Sequence, residues 1–69
     1  MIKEETARRH LNKNVEVIYV KDKFELEETG RLVEVTPFLI ILKLDKFKRL
    51  VIYLEHIISI SELNKRRIK

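Results

Sequence analysis

The side chains of this chain that could move protons or hold a metal are two histidines, His10 and His56, and eleven carboxylates. Two histidines without a single cysteine make neither a disulfide framework nor a thiolate metal centre, and no metal site is expected. No hydroxyl or amine stands beside a base and an orienting group, so no nucleophile is primed. One glycine in 69 residues rules out a glycine-rich phosphate loop. Glu25 and Glu27, two residues apart, read as the wet face of a strand. No catalytic residue, cofactor or enzymatic activity is expected.

Binding chemistry is left, and charge is its first clue. The net charge is +4 with a pI near 9.6. Residues 1–14 carry four basic and two acidic groups, residues 15–34 three and six, residues 35–69 eight and three, which add up to 15 and 11. Both ends are therefore basic and the middle acidic. A basic surface is the electrostatic footprint of a nucleic-acid binder, and also a device for solubility. Lys65, Arg66, Arg67 and Lys69 form a basic tail suited to sequence-independent attraction to phosphates.

The elements that must position such groups follow from apolar spacing. Residues 3–12 hold helix formers with Ile2, Ala7 and Leu11 on one stripe, and Asn12 and Asn14 sit where that helix should stop. From Val15 the period changes to two: residues 15–20 and 24–32, the second extendable to Val35, alternate as strands around the polar turn at 21–23. Gly30 marks a bulge, bend or close backbone approach, and the bend of a long strand is assigned to it. Pro37 fits a turn before the apolar run 38–42. Residues 45–49 are a charged hairpin loop, 50–54 a further apolar strand, and 57–61 the last.

One helix and five strands in 69 residues, with breaks near 22, 36, 47 and 56, suit a small, strongly bent antiparallel barrel of SH3-like type. Residues 1–63 form a single domain and 64–69 a tail. A domain this size buries only about 60% of its unfolded surface. Runs 38–42 and 50–54 are apolar on both faces, so one face needs a cover, and a second copy could supply it. No run reaches the roughly 18 apolar residues of a membrane span, and the first five residues, Met1-Ile2-Lys3-Glu4-Glu5, are acidic and lack the apolar segment of a signal peptide. A cytoplasmic location is expected.

The stretch Gly30-Arg31-Leu32-Val33-Glu34-Val35-Thr36-Pro37-Phe38-Leu39-Ile40-Ile41-Leu42-Lys43 resembles the first motif of the Sm-like superfamily, above all its Hfq branch. Phe38 and Lys43 match Hfq, while Val35, Thr36 and Pro37 stand for its usual Phe-Asp-Gln. His56-Ile57-Ile58-Ser59 resembles the Hfq segment Tyr-Lys-His-Ala-Ile-Ser, with Leu54 and Glu55 at the Tyr and Lys places. Arg8-Arg9 on the leading helix also agrees in order and type. The similarity spans roughly residues 5–61, and the turn at 21–29 is a little longer than the family's.

This resemblance implies a five-stranded Sm-like barrel in a homo-oligomeric ring of six or seven copies, the fourth strand of one copy pairing with the fifth of the next. It implies single-stranded RNA as the partner and an RNA-chaperone or regulatory role without chemistry. By position His56 would contact a base, Phe38 would stack on one, and Thr36 would replace the Asp of that pocket. Lys43 matches the family lysine. Arg8 and Arg9 would reach phosphates at the rim, and Tyr19 would stack a base on the opposite face. The alternative is an Sm-like barrel of the Rof type that docks a protein partner, with Glu16, Glu25, Glu27, Glu28 and Glu34 as its acidic face. A third reading is a ringless barrel whose apolar outer face docks an unrelated partner.

Overall fold

The computed structural model describes residues 2–63. The order is helix α1 (Glu4–Arg8), strands β1 (Asn14–Lys21), β2 (Phe24–Val35), β3 (Leu39–Lys43) and β4 (Arg49–Tyr53), a 3-10 turn (Leu54–His56), and strand β5 (Ile57–Glu62). The five strands make one antiparallel sheet in the order β4-β3-β2-β1-β5. The chain is thus mostly β behind a short helix, as the pattern of apolar spacing implies.

The helix is half its expected length. After Arg8 the bonds shorten to three-residue turns, His10 N–H to Ala7 O at 2.9 Å and Leu11 N–H to Arg8 O at 3.1 Å. Asn12 then takes a left-handed φ of 69°, which a short polar side chain tolerates and which ends the helix. Ala7 is fully buried against the sheet.

β1 and β2 meet through Asp22 and Lys23, both at positive φ, 52° and 73°. Two such residues between paired Lys21 and Phe24 make a two-residue hairpin of the type that matches strand twist, here without the usual glycine. The register slips between Leu32 and Glu34, so Val33 is the extra residue of a bulge in β2. A bulge bends a strand and raises its twist. This bulge lies three residues beyond Gly30, just past the point where β2 passes from pairing with β1 to pairing with β3. Gly30 answers a different demand: a Cβ there would lie 2.8 Å from the backbone oxygen of Lys43. It is the close-approach case.

The expected barrel does not close. β4 and β5 are the two ends of the strand order, and no ladder joins them among the described residues. The 3-10 turn carries the chain away from β4, and β5 pairs with β1 instead. The core lies on one side of this sheet, where Val15, Val17, Leu32, Ile40, Leu42 and Ile57 are fully buried. On the other side Leu39 and Ile41 are half-covered, while Val51 and Tyr53 of the edge strand β4 are 51% and 52% exposed. The surplus apolar face read from run 50–54 is therefore bare.

Candidate nucleic-acid interface

The turn at residues 36–39 is built by Thr36. Its N–H donates to Leu39 O at 2.9 Å, and its hydroxyl accepts from the N–H groups of Phe38 (3.2 Å) and Leu39 (3.0 Å). Pro37 presets the backbone of the turn. Phe38 is left at the apex, 74% exposed. The Thr36 hydroxyl is committed to the turn, so its part in the site is to aim Phe38.

Residues 54–56 arrive at the same end of the sheet. Leu54 N–H donates to Phe38 O at 2.8 Å, and the Leu54 side chain is buried, so the 3-10 turn is tied to the Phe38 turn and to the core at once. This exposes His56 on the surface. Tyr53, the last residue of β4, meets the His56 ring edge-to-face with centroids 6.2 Å apart. Tyr53 was not singled out by the sequence. Its signal was the alternation in residues 50–54, which puts it on the same face as Val51.

Tyr53 is the wall between two open clefts. One, of about 430 Å³, is framed by Pro37, Phe38, Tyr53 and Glu55, with Ile2 and Glu4 from the helix side. The other, of about 530 Å³, lies between β4 and the β1–β2 hairpin, with Tyr53, His56, Val51 and Val20 in its lining. Three flat rings on one end of a molecule can take bases by stacking, which depends little on base identity. The acids nearby are partly occupied. Glu4 is held by Arg8, whose Nε lies 3.1 Å away, and the Glu55 carboxylate lies 3.7 Å from His56 Nε2.

The remaining sequence candidates separate. Arg8 is spent on structure: it also donates to Val35 O at 3.2 Å, tying α1 to β2. Arg9 is exposed. Lys43 is at the far end of β3 from Phe38, about 16 Å at strand rise, and does not belong to this cluster. Tyr19 is largely buried, 8% exposed, beside Leu26 and Ile57 in the register, and it lines the cleft between β4 and the β1–β2 hairpin. The basic residues 65–69 lie outside the described residues.

The glutamates also divide. Glu16, Glu25 and Glu27 share the outer face of β1 and β2 with Ile18 and Val20, and Glu34 pairs with Ile41 on the outer face. Glu28 opposes the buried Val17 and points the other way. None of the five lines either cleft. No helix among the described residues is long and apolar enough to cross a membrane, and no cluster there could hold a metal. Compared with known proteins, the chain matches no family model, no curated protein and no solved structure.

Proposed function

We propose that the protein binds single-stranded RNA in the cytoplasm as an Sm-like homo-oligomer, positioning or annealing RNA without chemistry. The observation that carries this reading is the joining of Phe38, Tyr53 and His56 at one end of the sheet through the Leu54–Phe38 hydrogen bond. Exposed rings are disfavoured in water unless something covers them, and bases do so while the basic chain attracts their phosphates. Self-association is supported by the two free edges, β4 with bare Val51 and Tyr53 and β5 with Ile58, 47% exposed. Pairing one edge with the other removes both liabilities. Glu55 beside His56 favours base contact over phosphate contact at this end.

A gel-shift titration with U-rich and A-rich oligoribonucleotides at two salt concentrations tests the reading. Binding at micromolar protein that weakens with salt is the expected result. No shift at low salt sinks it. A protein-docking role is favoured by a different observation, the three glutamates gathered on the outer face of β1 and β2. It predicts that Glu25→Lys with Glu27→Lys abolishes capture of a basic partner and leaves RNA affinity unimproved.

A further inference from the structure

We infer that the opposite end of the sheet carries a second single-stranded nucleic-acid contact, made of the cross-strand row Arg31–Lys43–Arg49 and the ring of Phe47. This rests on the RNA-binding reading above and assigns a different part of the molecule to the phosphates. The register places Arg31 opposite Lys43 and Lys43 opposite Arg49. All three follow or precede residues of the core side, Leu32, Leu42 and Leu50, so all three stand on the outer face. Among the described residues none has a carboxylate within ion-pair distance.

Three cations one strand apart, about 5 Å each, repel one another and destabilise the sheet. A row kept in spite of that repulsion is what a polyanion's backbone would relieve. Next to it the β3–β4 hairpin projects Phe47, 92% exposed, between Lys46 and Lys48. The projection is built, since Asp45 Oδ1 accepts from the N–H groups of Phe47 (2.7 Å) and Lys48 (3.0 Å), and Leu44 N–H donates to Lys48 O at 2.9 Å. Residues 43–49 thus present four basic groups, one ring and a single carboxylate bound to backbone. The cations form a line, which fits a strand of nucleic acid. A membrane surface is a plane and needs a broader apolar contact than one ring provides.

The test is fluorescence anisotropy of the full chain with short oligouridylate and oligoadenylate across a salt series. Arg31→Gln/Lys43→Gln/Arg49→Gln should make the slope of log affinity against log salt shallower by about 2, three phosphate contacts at roughly 0.7 each. Phe47→Ala should weaken both oligonucleotides alike, by about tenfold. The triple variant should melt no lower than the parent, because like charges are removed. Phe47→Ala touches no core and serves whether or not the triple variant folds. Unchanged slope and affinity in these variants overturn the inference, as does binding to phosphatidylserine vesicles that the variants abolish while RNA affinity stays. If Phe38→Ala/His56→Ala leaves affinity intact while the row variant flattens the slope, the aromatic site fails and this one stands.

Discussion

Phe38 is a ring that the fold presents and does not use. At 74% exposure it adds little to the core, and its turn is held by Thr36 and Leu39 whatever side chain stands there. Phe38→Ala should therefore lower RNA affinity by about 1–3 kcal/mol, the worth of one stacked base, with a melting temperature close to the parent's. Anisotropy and a thermal melt on the same variant separate the two effects. Gly30 is the opposite case, a residue chosen by packing alone. A methyl group at 2.8 Å from a ladder carbonyl forces β2 and β3 apart, so Gly30→Ala should destabilise by about 1–3 kcal/mol in urea titration. Lys23 occupies a conformation that glycine adopts freely, with φ at 73°. Lys23→Gly should stabilise the hairpin by about 1 kcal/mol, read as a higher urea midpoint at unchanged slope.

At the scale of elements, the strands were legible because their apolar residues repeat at two and their breaks carry Asp22-Lys23, Thr36-Pro37 and Asp45. The helix was overread, since its expected last turn tightens to three-residue bonds and the backbone just beyond is taken up by β2: Asn12 N–H donates to Leu32 O at 2.7 Å and Leu32 N–H to Lys13 O at 2.9 Å. Tertiary pairing overrides propensity there. The bulge at Val33 carries no glycine and no local signal, whereas Gly30 is explained by its close approach to the Lys43 carbonyl. Phe38 and His56 could be singled out from residue type, but their meeting with Tyr53 depends on the Leu54–Phe38 bond across 16 positions, which no local pattern encodes. Tyr19 likewise owes its place, largely buried at the wall of the cleft beside β4, to pairing with Leu26 and Ile57. The element that exposes most is β4. Val51→Lys, on its bare face, should leave the monomer's stability within about 0.5 kcal/mol while dissolving any assembly, as seen by light scattering across a dilution series.

The molecule as a whole has an aromatic end at Phe38, Tyr53 and His56, a cationic end at Arg31, Lys43 and Arg49, and glutamates on the outer face of β1 and β2. On the proposed RNA-binding reading, such a division would let bases and backbone be handled by different surfaces, with the acids repelling phosphates from the remaining face. The net charge of +4 then acts at a distance, and affinity should fall steeply between low and physiological salt. The central claim is that single-stranded RNA lies against the aromatic end. Nitrogen-resolved NMR titration of the full chain with oligouridylate reads that claim residue by residue. The account predicts that the amides of Phe38, Leu39 and residues 53–56 shift together and saturably, with a second group at 43–49. Shifts confined to Glu16, Glu25 and Glu27, or none at all, would contradict it.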